Sequence, residues 1–349
     1  MPTIQPDVLQ DFATKLLAGG GATDEESQRV GASLVGSNLR GYESHGVMRI
    51  PFYVDMVDKG TVVSGAELTV TKESPTHLVT DANWGFGQVQ AGRLLDRLIE
   101  KSRENGMAIG TMIHSGHIGR LGEYLEAATE QGFVAIVMVN SHGAAVRVAP
   151  PGGKEPRLST NPLAIGVPNG DESLILDFST SATAEGKVRV KKIAGEQVPD
   201  GWLLNSDGQA TNDPNDLYSD PPGSILPMGG AQAYKGYGLS LMIEILTGAL
   251  SGGVTAREDT YPKKGNCVFM MALDPDKFGG TDHFAAEVKQ LVKYQKTTTR
   301  IDGVDRILMP GDPERFVYAD RSTNGIFLDD ENWQQLVSLA ERLGVELPV

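Results

Sequence analysis

The sequence predicts an α/β fold with a helical N-terminal portion. Two observations carry this. The first sixty residues place apolar side chains at helical spacing between glycine stops, and residues 77–139 alternate short apolar strands with amphipathic helices. A third supports it: the run Cys267-Val268-Phe269-Met270-Met271 is apolar throughout and reads as a buried strand.

Residues 8–17 are apolar at helical spacing and run into Gly19-Gly20-Gly21. Thr23, with Glu26 three residues on, is a capping box that opens a second helix reaching about Asn38. A third helix is expected over 43–58, stopped by Lys59-Gly60. Residues 77–80 form a short strand, 88–104 a helix ended by Asn105-Gly106, and 107–113 an apolar strand. Residues 119–130 follow as a helix ended at Gly132, then 133–139 as another strand. Strand, helix and strand joined by short links mark a right-handed crossover and a largely buried sheet. Residues 163–167 and 174–176 add strands, and 194–230, rich in Pro, Gly, Asp and Asn, read as a long irregular excursion of the functional kind. Helices over 237–250 and 332–343 close the chain.

At 349 residues the chain is long enough for two or three intertwined units, and 40% hydrophobic content supplies a sizeable core. Thirty-one Lys and Arg against 45 Asp and Glu leave a net charge of −14. Such a surface repels nucleic-acid phosphates and anionic lipid, so no nucleic-acid or membrane partner is expected. An anionic substrate then needs a local basic pocket. One cysteine excludes a disulfide within the chain and a cysteine metal cluster. The start Met1-Pro2-Thr3-Ile4-Gln5-Pro6 carries no basic region followed by an apolar stretch, and no run of 18 apolar residues occurs, so a cytoplasmic location is expected.

The familiar phosphate-binding fingerprints are missing. The nearest approach to G-x-G-x-x-G is Gly85-Phe86-Gly87-Gln88-Val89-Gln90, with Gln90 where the third glycine belongs, and Gly186-Lys187 lacks the upstream glycine of a Walker loop. Five polar segments at element ends stand out instead. In Ser44-His45-Gly46-Val47-Met48-Arg49, a helix would put His45 and Arg49 on one face. That pairs a titratable proton donor with a fork for a carboxylate, the two needs of carbonyl reduction; a solvated charge pair on a surface helix is the plainer alternative. His114-Ser115-Gly116-His117-Ile118-Gly119-Arg120-Leu121-Gly122 follows an apolar strand directly, where ligands bind in open α/β sheets. His114 and His117 can be read as a metal pair, but no carboxylate or cysteine stands at ligand spacing, so no metal is expected. Asn140-Ser141-His142-Gly143 suits a binding loop or a turn, Leu176-Asp177-Phe178-Ser179-Thr180-Ser181 suits ribose and phosphate or a helix cap, and Lys235 in Tyr234-Lys235-Gly236-Tyr237-Gly238 can anchor an anion.

Together these segments resemble the malate/L-lactate dehydrogenase family, which lacks the Rossmann fingerprint and includes hydroxycarboxylate, sulfolactate, ureidoglycolate and diketogulonate oxidoreductases and cyclic-imine carboxylate reductases. The resemblance spans nearly the whole chain. It rests on Ser44-His45-Gly46 with Arg49, His117-Ile118-Gly119-Arg120, Leu158-Ser159-Thr160-Asn161-Pro162, Asp177-Phe178-Ser179-Thr180-Ser181, Lys235-Gly236-Tyr237-Gly238 and Pro310-Gly311-Asp312. The run Val148-Ala149-Pro150-Pro151-Gly152-Gly153 is most similar to the hydroxycarboxylate branch, although Pro151 stands where that branch has an aromatic residue.

The resemblance implies a mixed central sheet not of the Rossmann type. It divides the chain into a helical portion, 1–75, packed with 305–349, and a dinucleotide-binding α/β domain, 76–304. It implies NAD or NADP as cofactor, with NAD favoured, and a homodimer acting on a small carboxylate. His45 or His117 would exchange the proton, with Ser44 and Arg49 at the substrate. Gly119, Arg120, Leu121, Ser141, Asp177, Phe178, Ser179, Thr180, Ser181, Lys235, Gly311, Asp312, Pro313 and Glu314 would line the cofactor. The expected reaction moves a hydride between the cofactor and a small 2-hydroxy or 2-oxo acid. A reductase of a carboxylated cyclic imine is the alternative. A non-enzymatic binding protein would have had no need of both histidines and Arg49.

Overall fold

The capping box expected at Thr23 is present. The Thr23 hydroxyl accepts from Glu26 N, and the Glu26 carboxylate accepts from Thr23 N at 3.0 Å. Its outer turn is tied further, because Glu26 also accepts from Ser64 Oγ and Gly65 N. The computed structural model describes residues 2–258 and 265–348.

The chain begins with β1 (Thr3–Ile4), α1 (Pro6–Gly19), α2 (Asp24–Leu39) and α3 (Ile50–Asp58). It enters the main sheet through β2 (Thr69–Glu73) and β3 (His77–Asp81), crosses by α4 (Gly87–Asn105) to β4 (Met107–Ser115), and by α5 (Gly122–Glu130) to β5 (Val134–Asn140). After β6 (Pro162–Val167) and β7 (Leu174–Ser179) comes α6 (Glu185–Ala194). The excursion expected over 194–230 is built around short strands β8 (Leu203–Leu204), β9 (Ala210–Thr211) and β10 (Ser224–Ile225), which pair with one another over a small core of Val148, Val188, Leu217 and Ile225. Helix α7 (Ala233–Glu244) passes into a π-helical turn, Ile245–Ala249. The chain ends with β11 (Asn266–Leu273), α8 (Thr281–Lys296), α9 (Asp312–Asn324), β12 (Ile326–Phe327) and α10 (Asp330–Leu343).

Among the described residues the main sheet has seven strands in the order β2-β3-β4-β11-β5-β6-β7. Strands β3 and β4 are parallel neighbours, as the strand–helix–strand reading requires. Strand β5 runs parallel to β4 but does not touch it, because β11 inserts antiparallel between them. The result is a mixed sheet, and β11, apolar from Cys267 onward, is its central strand. Strand β2 and helices α6, α8 and α9 were not expected as elements; α8 has no fully buried side chain among the described residues, although Phe284, Val288, Leu291 and Val292 stand at helical spacing along it.

The first core lies between this sheet and α4 and α5. A second joins Leu9, Phe12 and Leu16 of α1 and Leu34 of α2 to Tyr53 of α3, and to Leu336 and Leu339 of α10. Strand β1 pairs with β12, so the two ends of the chain meet in one layer. That layer holds α3 against the N-terminus of α4, and the candidate site forms there.

Candidate active site

Asn38, at the end of α2, decides the path of the next segment. Its side-chain oxygen accepts from Val47 N at 2.8 Å, and a Cβ on Gly46 would overlap its amide. Gly46 is extended (φ −90°, ψ −161°) between two 3₁₀ turns, Glu43–His45 and Val47–Arg49. The continuous helix expected over 43–58 is therefore corrected: regular α-helix starts at Ile50. His45 and Arg49 do not share an α-helical face. Arg49 instead folds back, and its Nε donates to Ser44 O at 2.6 Å.

His117 arrives from the other side. Residues 116–121 form an extended loop, and α5 begins at Gly122 rather than at Gly119 as expected. Gly87, in the failed nucleotide fingerprint, is the joint: a Cβ there would overlap the carbonyls of Gly116 and His117, so the N-terminus of α4 packs directly on this loop.

The two imidazoles meet. Their centroids lie 5.3 Å apart with 28° between the planes. His45 Nδ1 is 3.0 Å from Ser44 Oγ, and His117 Nδ1 is 2.7 Å from the Tyr53 hydroxyl. Burial, with the positive charges of Arg49 and Arg120, lowers the His45 pKa to about 3. Burial, Arg49 and His45 together hold His117 well below its ordinary value. Both rings are thus neutral at neutral pH, with a guanidinium close enough to act on each.

His114 and His142 do not join them. His114 Nδ1 lies 2.9 Å from Asp81 Oδ2, and its ring packs on Trp84 and His142. Asn83, Trp84, His114 and His142 all have positive φ, so this second cluster is a strained corner at the strand ends. Among the described residues no three His, Cys, Asp or Glu side chains group as a metal site.

Tyr42, whose ring centroid is 6.4 Å from that of His45, opens onto a groove of about 1440 Å³. Arg120, Asp177, Gly311 and Glu314 line it, facing Lys289, Lys293 and Lys296 of α8. The groove is mixed in charge: Glu126, Glu130, Asp171 and Glu172 line it as well, so its cations are concentrated at Arg120 and along α8 rather than filling it. Arg120 is buried beneath the Tyr42 ring, 2.7 Å from Glu126, and its Nε meets no acceptor among the described residues. Asp177 accepts from Gly122 N at 2.8 Å at the head of α5, and burial pushes its pKa up to about 6. Gly311 caps α9 in the left-handed region, with Pro313 in the first turn, and Glu314 accepts from the Tyr42 hydroxyl at 3.0 Å. Asp312 turns inward to Met309 N and Arg315.

Other expected residues are occupied elsewhere. Strand β7 runs on to Ser179, so Asp177 and Phe178 lie within it, not after it. The Thr180 hydroxyl lies within hydrogen-bond reach of the Thr160 and Asn161 carbonyls, and Ser181 donates to Thr183 O. Gly119 has the positive φ of a turn, and Leu121 is in the main core. Ser141 closes its own turn by donating to Ala144 O. Lys235 is exposed, with Nζ 5.9 Å from the Tyr234 ring centroid, and among the described residues it does not line the groove. Sequence reasoning missed Tyr42, Tyr53 and Gln88. Tyr53 stands one helical turn beyond Arg49, and Gln88 lies inside the dismissed glycine run, so spacing alone held the signal for the first.

The sequence profile of malate/L-lactate dehydrogenases matches residues 4–337. The chain belongs to the malate/L-lactate dehydrogenase family. It is 34% identical to a malate dehydrogenase of Pyrococcus abyssi over 98% of this chain and 95% of that one. It is also 34% identical to hydroxycarboxylate dehydrogenase B of Escherichia coli K12, over 97% and 93%. The solved structure of a putative malate/lactate dehydrogenase from E. coli superposes with a TM-score of 0.92 at 33% identity, over 99% and 96%. As a member of this malate/L-lactate dehydrogenase family the protein is an oxidoreductase acting on the CH–OH group of 2-hydroxy acids, and its cofactor is a nicotinamide dinucleotide. The groove fits that group: a buried arginine with a free nitrogen, a helix N-terminus and a row of lysines suit a diphosphate.

Proposed function

We propose that the enzyme interconverts a small 2-oxo acid and its 2-hydroxy acid at the paired imidazoles, with NAD in the groove. The observation that carries this reading is the stacking of His45 on His117 beside Arg49. The bound nicotinamide supplies or accepts the hydride. Arg120, Asp177, Gly311 and Glu314 hold the dinucleotide, with Gly119 and Leu121 shaping the loop beneath it.

Arg49 pairs with the substrate carboxylate. Burial is the larger cause that holds both imidazole pKa values down and the Arg49 charge the second, so pairing Arg49 with the anion relieves that second cause and shifts His45 toward its protonated form. In reduction His45 gives that proton to the substrate oxygen. In oxidation the neutral ring takes it back. Ser44, against His45 Nδ1, steadies the ring in either state. The active form is a homodimer, supported by the apolar side chains exposed along α7.

The test is nicotinamide absorbance with pyruvate, oxaloacetate and a cyclic imino acid, each with NADH and NADPH. Turnover of a 2-oxo acid with NADH is expected. Turnover of the imino acid alone would replace the reading.

A further inference from the structure

Gln88 and Tyr53 are 0% and 3% exposed, yet both turn polar atoms toward His117. Gln88 Nε2 donates to Tyr53 Oη at 2.9 Å, and Oη is 2.7 Å from His117 Nδ1. A hydroxyl that accepts the amide N–H keeps its own hydrogen for another acceptor, and Nδ1 is within reach. If Nδ1 accepts, the proton of a neutral imidazole sits on Nε2. Burial and the neighbouring Arg49 and His45 keep the ring neutral. His45 is placed differently: among the described residues its Nδ1 faces the Ser44 hydroxyl alone, half-buried and able to donate or accept.

We propose that the Gln88–Tyr53 pair is a positioning device that fixes His117 as the Nε2–H tautomer. His117 then offers the substrate oxygen a hydrogen bond and keeps its proton, while the proton that the oxygen takes in reduction comes from His45. The two rings divide the work because their Nδ1 partners differ: a phenol whose direction is set by a buried amide, against a hydroxyl free to turn. This rests on the reading above, that a 2-oxo acid binds at the paired rings.

The test is nitrogen NMR of the full-length protein labelled with ¹⁵N-histidine, with His117 assigned by loss of its signals in His117→Gln. At neutral pH without substrate, Nε2 of His117 should give the shift of a protonated ring nitrogen and Nδ1 that of a bare one. Tyr53→Phe removes the donor, so the two signals should move toward each other as the tautomers mix. In the same variant kcat should fall about 10- to 100-fold, with KM within about a factor of two. A proton on Nδ1 in the wild type overturns the proposal, as does a Tyr53→Phe spectrum that matches the wild type. The spectrum needs no substrate. The expected shifts in a protein that turns over no 2-oxo acid would leave the tautomer assignment standing and remove the substrate reading instead.

Discussion

The imidazole rings of His45 and His117 lie face to face, 5.3 Å between centroids, although one comes from a 3₁₀ turn near the N-terminus and the other from the loop after β4. The arrangement gives the substrate oxygen two nitrogens to choose from. His45→Ala should lower turnover by about 10²- to 10⁴-fold while cofactor affinity, read by nicotinamide fluorescence, stays near wild type. His117→Ala should weaken cofactor binding as well, because its loop continues into Gly119 and Arg120. The reverse pattern would give the proton to His117.

Arg49→Lys should raise KM for a 2-oxo acid by about tenfold with a smaller change in kcat. A planar fork makes two bonds to a carboxylate, where an ammonium offers a point charge. The fork here is already oriented by its bond to Ser44 O. Arg49→Met should add a second effect, lifting both imidazole pKa values by removing a neighbouring cation. An unchanged KM in the folded lysine variant would take Arg49 out of the substrate site.

Stability should fall as the pH drops below about 6.5, the ordinary histidine value. His45 titrates at about 3 in the folded protein, so between these values the unfolded chain binds a proton that the native one refuses. His117 shifts in the same direction. Their contribution is present above pH 6.5 and is lost progressively as the pH falls toward 3. Asp177 has the opposite sign: with its pKa raised to about 6, its contribution is lost as the pH rises through that value. Urea midpoints between pH 7 and 4 should therefore fall less steeply for His45→Gln than for the wild type. Equal slopes would mean that His45 is not desolvated in the native protein.

A dimer is expected in solution. Met242, Ile245 and Leu250 are 50%, 44% and 61% exposed along the run where α7 passes into the π-helical turn, and Val190 and Ile193 of α6 are also bare. Helices α1 and α2 bury their apolar faces in the second core and leave less to offer. Ile245→Asp should halve the mass found by light scattering. A wild type that is monomeric and fully active when dilute would contradict the dimer.

The fold was legible wherever one residue pattern met one physical need. Thr23 and Glu26 satisfy each other's backbone donors locally, and Cys267 to Met271 are apolar because a central strand has no solvent face. What escaped depends on contacts far apart in the chain. The break at Gly46 is imposed by Asn38, and the failure of Gly87 as a nucleotide loop by the carbonyls of Gly116 and His117. The insertion of β11 between β4 and β5 leaves no local trace. Helix α8 does carry a stripe, Phe284, Val288, Leu291 and Val292, that was readable and was not read. Within the site, His45, His117 and Arg49 were readable as residue types. Tyr53 and Gln88 lay inside expected helices, and nothing marked them until the fold brought them to His117.

A buried carboxylate gives the last expectation. Glu244, 3% exposed at the end of α7, accepts from Asn140 Nδ2 at 3.0 Å, Ala256 N at 2.9 Å and Asn161 Nδ2 at 2.7 Å. Burial raises its pKa, and the three donors oppose that shift. The group ties the end of β5, the loop before β6 and the segment after the π turn to one point. Glu244→Gln keeps an oxygen for Asn140 and Ala256 but turns an NH₂ toward Asn161. Asn161 can reverse its amide to accept, at the loss of its bond to Ser240 O, so the cost should be about 1–2 kcal/mol. Asn140 cannot reverse as cheaply, because its oxygen already accepts from His142 N and Cys267 N. Glu244→Leu leaves Ala256 N and one N–H each of Asn140 and Asn161 without an acceptor, while the other N–H of each amide still reaches Val254 O or Ser240 O, and should cost roughly 3 kcal/mol or more. Urea unfolding of the two variants checks the order. A leucine variant as stable as the glutamine one would show that these donors find water instead, and that the carboxylate holds nothing together.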